Sequence, residues 1–330
     1  MFKNIPTNII SGFLGAGKTT AIQALLKQKP ASENWAVIVN EFGKVGIDGA
    51  LLKNDEVEIK EIPGGCLCCV GSQSLSVGLN NIIRNVKPHR IIIEPTGLGH
   101  PKKLIDTLTG EFYQSVLDLK AIINLLDARN LNDERYTTNE SFIDQVNLAD
   151  ILIGSKSDTY SENDKYNFMN YASQLKPAKT KVVMLEQGQL KLQWLDLTRL
   201  KNRAAAFAES HQHAKNETEI STENNTNWFI VDGFANGYSS VGWKINKVTR
   251  FSEKTINKYL SDVFEQTSTE RIKGVVFTDK GWLSINCTRL DRQIIRVDEQ
   301  ASSILEIISS SLMDSEKLNK QLKKCVVKTF

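Results

Sequence analysis

The sequence predicts an α/β fold with a mostly parallel central sheet, followed by a smaller α+β domain. Three observations carry that expectation. Uninterrupted apolar strands alternate with helix-patterned segments over the first two hundred residues, as in a parallel sheet covered on both faces. A glycine-rich stretch, Gly12-Phe13-Leu14-Gly15-Ala16-Gly17-Lys18-Thr19, joins the first strand to the first helix. After a polar run at 209–227, rich in Asn, Glu, Thr and Ser, the pattern changes to short strands separated by turns.

The elements follow in order. Residues 7–11 read as a strand and 21–29 as a helix closed by Pro30. Residues 35–39 form a second strand, and 57–62 alternate at period two. Leu75, Leu79, Ile82, Ile83 and Val86 recur at helical spacing. Strands follow at 90–93, 121–126, 151–153 and 181–185, and 204–208 read as the end of a helix. In the second part, strands are expected at 228–231, 243–249, 271–277, 281–286 and 293–297, with a hairpin turn at Asp279-Lys280-Gly281. Helices are expected at 252–264, with Ser252 as N-cap, and at 301–312 and 316–324. The expected division is a first domain at 1–205, a polar linker at 206–227 and a second domain at 228–330.

Composition narrows the function. A chain of 330 residues has room for two domains, and 41% hydrophobic with 24% charged residues excludes a fibrous or wholly disordered protein. Lys+Arg at 41 against Asp+Glu at 38 gives a net charge of +3, too little for a broad basic face, so no nucleic-acid partner is expected. No apolar run approaches the roughly 18 residues that span a bilayer, so no membrane partner is expected either. The start of the chain lacks the pattern of an export signal, which points to the cytoplasm. In that reducing compartment, three of the five cysteines within positions 66–69 suggest metal or redox work rather than cross-links.

The glycine-rich stretch matches G-x-x-x-x-G-K-[ST] in the strand-to-helix context the motif requires. At an average glycine usage of about 7%, it arises by chance in roughly one chain of this length in a hundred. Gly12, Gly15, Ala16 and Gly17 let backbone N–H groups turn toward a phosphate at the helix N-terminus, which Thr20 joins from the first turn. Lys18 reaches the β- and γ-phosphates, and the Thr19 hydroxyl is placed to ligate magnesium.

Glu94-Pro95-Thr96-Gly97 comes directly after a strand. There an acid can hold magnesium through a water, and Gly97 can offer its N–H to the γ-phosphate. Ser155-Lys156-Ser157-Asp158 resembles a guanine reader. Asp158 can accept from guanine N1–H and the exocyclic amine together, while the Lys156 stem packs over the ring. Adenine offers no such pair of donors. Ser155 stands where Asn is usual, which loosens the base positioning and leaves ATP open as a substrate.

Gly64-Gly65-Cys66-Leu67-Cys68-Cys69 gathers three thiols. Thiolates suit zinc and other thiophilic ions, and three of them leave one tetrahedral position open, as a releasable ion needs. A redox pair or inert buried thiols are the alternatives. Asn40-Glu41-Phe42-Gly43 and Asp48 follow the second strand, where a first switch belongs. Glu41 can orient the attacking water, ahead of Glu94 in that role, and Asp48 can reach the magnesium shell; loop carboxylates making turns remain the alternative. His211 and His213 read as solvated linker residues, and Cys287 and Cys325 as packing thiols.

Taken in order, GFLGAGKTT, NEFGKVGIDG, GGCLCC, EPTG and SKSD resemble the CobW-like family of metal-linked P-loop GTPases, relatives of the nickel-insertion GTPases. The resemblance is strong over residues 7–185. It continues weakly into the second domain, where Arg271-Ile272-Lys273-Gly274 is similar to an R-x-K-G stretch of the family. It implies a P-loop NTPase domain, slow GTP hydrolysis with magnesium, and zinc or another divalent ion at Cys66, Cys68 and Cys69. It implies a metallochaperone whose partner is a client metalloprotein. Three departures stand out: Lys44 where the family often has Glu, Pro95 where a smaller residue is common, and only two histidines in the linker. Two other functions fit the same residues: a GTPase switch with structural zinc that binds a partner protein, and a redox-sensing NTPase.

Overall fold

The computed structural model describes residues 4–40, 57–62, 71–99, 101–207, 227–235, 237–266 and 268–327. These fall into two compact units, 4–207 and 227–327.

The first unit runs β1 (Ile5–Gly12), α1 (Lys18–Leu26), β2 (Trp35–Asn40), β3 (Glu58–Ile62), α2 (Gly71–Asn85), β4 (Arg90–Glu94), α3 (Pro101–Thr109), β5 (Leu117–Leu119) and β6 (Ile123–Leu126). It continues with α4 (Glu134–Thr137), α5 (Glu140–Leu148), β7 (Ile151–Ser155), α6 (Glu162–Gln174) and β8 (Lys181–Leu185). The sheet order is β3-β2-β4-β1-β6-β7-β8, with β5 beside the start of β1, and every pairing among the described strands is parallel. The expected parallel sheet is therefore present.

Alternate residues of each strand feed opposite cores, because strand side chains point to opposite faces. Ile9, Ile38, Ile91 and Ile93 pack with Leu75 and Leu79 of α2 and Leu104 of α3. Ile10, Val37, Val39 and Ile92 pack with Ala21, Ile22 and Leu25 of α1. Burying each such aliphatic side chain stabilises the fold by about 1.5–3 kcal/mol. The register sets Ile9 opposite Ile93 and Val39 opposite Glu94, so the carboxyl ends of β1, β4 and β2 emerge side by side. Ligands of open parallel sheets bind at that edge.

The second unit runs β9 (Trp228–Ala235), β10 (Tyr238–Asn246), α7 (Glu253–Phe264), β11 (Thr269–Thr278), β12 (Gly281–Thr288), β13 (Arg292–Val297), β14 (Ser302–Ser309) and α8 (Ser315–Lys323). Its sheet is antiparallel in the order β13-β12-β11-β14-β10-β9. Ile256 and Leu260 of α7 and Leu322 of α8 share a core with Trp243, Ile272, Ile285 and Ile307. The smaller α+β unit is as expected, and Asp279 and Lys280 do form the two-residue turn between paired Thr278 and Gly281. Gly281 sits at φ 110, a backbone state that a side chain would strain.

Two expectations fail. The segment read as a helix at 301–312 contains β14, a central strand paired with β10 and β11. Its non-alternating run, Ile304-Leu305-Glu306-Ile307-Ile308, suits burial on both faces, and periodicity does not separate such a strand from a buried helix. Glu306 is buried opposite Lys273, and burial pushes its carboxyl up to about 7 although Arg271 and Lys273 pull it down. The helix end read at 204–208 is also absent from the described residues 204–207. Instead the N–H groups of Ala206 and Phe207 donate to Asp144 Oδ1 at 2.7 and 3.2 Å, so a side chain takes donors that a helix would use internally.

Smaller differences are at the ends of elements, and β5 and helices α3, α4, α5 and α6 were not among the expected elements. Ser252 stands at the N-cap of α7 but makes no side-chain cap bond. Cys287 and Cys325 are buried, and burial pushes both thiols up, in keeping with packing roles. Among the described residues, no helix is long and apolar enough to cross a membrane. The polar run 209–226, with His211 and His213, lies outside the described residues.

Candidate nucleotide-binding site

The glycine-rich loop joins β1 to α1, the strand-to-helix context the motif requires. β1 ends at Gly12, where a Cβ would sit 2.5 Å from the Leu125 carbonyl oxygen of β6, so only glycine allows the two strands this close. Gly15 and Gly17 take φ of 72 and 85, and Gly17 is the N-cap of α1. Ala16 is buried, and its N–H closes the loop onto the Phe13 carbonyl at 3.2 Å. Among the described residues, the N–H groups of Leu14, Gly15 and Gly17 meet no acceptor. Backbone donors without acceptors at a helix N-terminus fit a phosphate.

Lys18 is buried, and its Nζ donates to the Gly12 carbonyl at 2.8 Å and to the Phe13 carbonyl at 3.4 Å. That contact folds the ammonium over the mouth of the loop. Thr20 lies on the first turn of α1, exposed. The Thr19 hydroxyl donates to Glu94 Oε1 at 3.3 Å. Glu94 ends β4 and is 2% exposed. Two hard oxygen donors this close, at the mouth of a phosphate loop, fit a magnesium ion.

The chain after Glu94 turns back over the loop. Gly99 N–H donates to the Thr96 carbonyl at 3.0 Å, closing a tight turn. A Cβ on Gly97 would lie 3.0 Å from Leu14 N and 3.2 Å from Lys18 Nζ. Gly97 is buried, and its N–H has no acceptor among the described residues. A buried donor left over beside the loop lysine fits an anionic ligand.

The base-reader segment emerges at the end of β7. Lys156 takes a left-handed φ of 60, and its Nζ lies 3.4 Å from Asp127 Oδ2. Arg129 holds the same buried carboxylate, with Nε at 2.9 Å. Asp158 follows on a single 3-10 turn, exposed, and its side chain makes no hydrogen bond or ion pair among the described residues. Ser155, in the place of the usual Asn, donates its hydroxyl to the Leu126 carbonyl at 3.1 Å.

Four contributors were missed in the sequence. Tyr160 donates its hydroxyl to the Ser155 carbonyl and accepts the Ala128 N–H at 2.8 Å, bracing the segment from below. Burial pushes that phenol well above its ordinary pKa, so it stays protonated. Gly188, at φ 70, sits where a Cβ would be 2.9 Å from Ala21 N, which brings the loop after β8 against the first turns of α1. Ser141 and Gln145 of α5 bind the carbonyls of the 97–99 segment. A Gln-Gly pair after a strand is the one signal that could have flagged the β8 loop.

The structure thus brings Gly12, Gly15, Ala16, Gly17, Lys18, Thr19, Glu94 and Gly97 together around one loop. Lys156 and Asp158 lie at the end of β7 in the same sheet. Glu41, Asp48, Cys66, Cys68 and Cys69 lie outside the described residues. Among the described residues, no group of three His, Cys, Asp or Glu side chains is placed to hold a metal ion.

Comparison with known proteins identifies the family. Residues 6–183 match the family described as CobW/HypB/UreG, nucleotide-binding domain. The chain is 40% identical over 323 residues to the zinc chaperone YeiR of Escherichia coli strain K12, covering 96% of this chain and 97% of that protein. It is 33% identical over 172 residues to the zinc chaperone YjiA of the same strain, covering 49% of this chain and 52% of YjiA. A crystal structure of Zn(II)-bound YjiA GTPase aligns at 19% identity with a TM-score of 0.43, covering 98% of this chain and 99% of that one. With its phosphate loop, its strand-end glutamate and a relative that spans nearly its whole length, the chain belongs to the CobW/HypB/UreG family of nucleotide-binding proteins.

Proposed function

We propose that the chain is a GTP-hydrolysing metallochaperone that carries zinc, or another divalent ion, on Cys66, Cys68 and Cys69 and ties its transfer to the nucleotide state. The observation that carries the nucleotide half is the convergence of Lys18 Nζ, the Thr19–Glu94 pair and the buried Gly97 N–H on one glycine loop. The full-length similarity to a protein named as a zinc chaperone supports the metal half.

Each residue has a stated task. The N–H groups of Leu14, Gly15 and Gly17 cradle the β-phosphate, and Lys18 offsets charge on the β- and γ-phosphates. Thr19 and Glu94 would hold magnesium, with Asp48 in its shell, and the ion would supply positive charge against the negative charge of the phosphates. Gly97 donates to the γ-phosphate, so its contact exists with GTP and is lost with GDP. Asp158 accepts two hydrogen bonds from guanine, with Lys156 across the ring. Glu41 orients the attacking water.

The ion is cargo. Three thiolates leave its fourth position for a ligand of the client metalloprotein, so the ion can pass without ever being bare. The segment with Cys66–Cys69 lies in sequence between Glu41 and Gly97, and nucleotide contacts at both ends can rearrange it. The reading keeps the partition 1–205, 206–227 and 228–330, with turnover in the first part and client contact in the last. It requires neither nucleic acid nor a membrane, and its place of work is the cytoplasm.

The test is zinc stoichiometry on reduced protein. The wild type is expected to bind one zinc tightly, and a Cys66→Ser/Cys68→Ser/Cys69→Ser variant to lose it while keeping GDP affinity. Retention of the tight site in that variant would remove the thiolate assignment.

A further inference from the structure

Helix α5 grips the 96–99 turn from behind. Gln145 is 1% exposed, and its Nε2 donates to two carbonyls, Gly97 at 3.0 Å and Gly99 at 2.9 Å. One helical turn earlier, the buried Ser141 hydroxyl donates to the Leu98 carbonyl at 3.0 Å. Residues four apart share a helix face, so three successive carbonyls are bound to one face of one helix. The orientation of the Gln145 amide is fixed by chemistry, since only its NH2 end can face two carbonyl oxygens.

The helix is itself held along its length. Asn139 caps it by accepting the Phe142 N–H at 3.2 Å. Asp144 Oδ1 accepts from Ala206 and Phe207, and Lys179 Nζ reaches the carbonyls of Asn147 at 3.2 Å and Ala149 at 2.8 Å at its C-terminal end. The Phe142 ring meets the Phe13 ring of the phosphate loop edge-on, centroids 6.0 Å apart. One rigid element therefore references the turn to the loop that binds phosphate.

We infer that Gln145 is a positioning residue: by fixing the carbonyls of Gly97 and Gly99 it holds the Gly97 N–H in place to read the third phosphate of GTP, and so sets how well the chain tells GTP from GDP. The inference rests on the reading of Gly97 given above. Gly97 has no side chain to restrict it; the turn's closing bond, from Gly99 N–H to the Thr96 carbonyl, orients the peptide plane that carries the Gly97 N–H, and Gln145 anchors the Gly97 and Gly99 carbonyls that follow, so the turn and its donor are seated on α5 together. Displacing the turn from α5 strips the Gly97 and Gly99 carbonyls of their donor, which is costly away from water. The donor is then preorganised, and no reorganisation is needed when the phosphate arrives. Ser141 reaches the middle carbonyl, that of Leu98, and Gln145 the carbonyls on either side of it. Gln145 touches no substrate in this account; it acts through Gly97.

The experiment compares wild type with Gln145→Met, which keeps the shape and removes the donor, and with Gln145→Glu, which keeps the shape and, when ionised, cannot donate. Each is measured for affinity toward GDP and toward a non-hydrolysable GTP analogue with magnesium, for steady-state turnover, and for Tm. In Gln145→Met the preference for the analogue over GDP is expected to fall about tenfold and kcat by a similar factor, with GDP affinity within about twofold of wild type. If that variant does not fold, Gln145→Glu decides by the same readout. Equal losses of GDP and analogue affinity, tracking a fall in Tm, would reduce Gln145 to a structural role and overturn the inference. So would an unchanged preference in a folded variant. A wild type that bound GDP and the analogue alike would instead sink the assignment of Gly97, and the positioning role with it.

Discussion

The phosphate end and the base end of the candidate site are built in opposite ways. At the phosphate end the groups are buried and backbone-held: Lys18 is bonded to Gly12, Glu94 is 2% exposed, and the spare N–H groups are fixed by glycine geometry. At the base end the reader is a side chain in water, since Asp158 is exposed and unpaired among the described residues, and only its base is braced, through Tyr160. The difference teaches where affinity and selectivity come from. A preformed, desolvated cradle supplies binding energy without reorganising. An exposed carboxylate contributes little until a ligand buries it, and then only a ligand with two matching donors keeps it satisfied. Changes at the first end should abolish binding or turnover; changes at the second should alter choice.

The largest effect is expected from Lys18→Ala, which removes the one loop cation. GTP affinity or kcat/KM should drop by roughly a hundredfold or more, while the fold persists; nucleotide titration and turnover check this. A loss below tenfold would mean that backbone donors alone carry the phosphate. Gly97→Ala comes next. Its Cβ would press on Leu14 N at 3.0 Å and Lys18 Nζ at 3.2 Å. The pressure on Leu14 N and Lys18 Nζ should weaken both nucleotides, but GTP-analogue affinity and kcat should fall about tenfold further than GDP affinity, because GDP has no third phosphate. Equal effects on GDP and GTP would move Gly97 out of the γ-phosphate's reach.

Asp158→Asn tests the other end. GTP affinity should fall by about ten- to a hundredfold, ATP affinity should not change, and Tm should not move, since the residue is exposed. If GTP and ATP fell together, the comparison between the two ends would be wrong. Tyr160→Phe should be the mildest. It leaves the buried Ala128 N–H and the Ser155 carbonyl short of a partner, costing about 1–2 kcal/mol of stability and a few-fold in GTP affinity. Calorimetry and titration together separate the two.

The same contrast explains what the sequence revealed. The phosphate loop was legible because its chemistry is in the backbone, and glycine spacing encodes backbone geometry directly. Glu94 and Gly97 were legible because Glu94 ends a strand whose apolar run is visible and Gly97 follows three residues later. Gln145, Ser141 and Tyr160 were not, since a side chain that bonds a distant carbonyl leaves no local pattern. The strand at Ser302–Ser309 was misread for a related reason. Its partners, β10 and β11, come from far earlier in the chain, 58 residues for the pair Ile245–Ser303 and 31 for Gly274–Leu305, and its burial on both faces erases the alternation that marks an exposed strand. The Ala204-Ala205-Ala206 run has high helix propensity, yet Asp144 claims its donors.

The central claim is that nucleotide and metal speak to each other. The measurement that tests it most directly is a zinc competition titration on reduced protein, run once with GDP and once with a non-hydrolysable GTP analogue and magnesium. Coupling is reciprocal, so zinc affinity should differ between the two states by about fivefold or more, with the weaker state marking where the ion is released. Equal and tight affinity in both states would contradict the account and make the zinc a structural fixture.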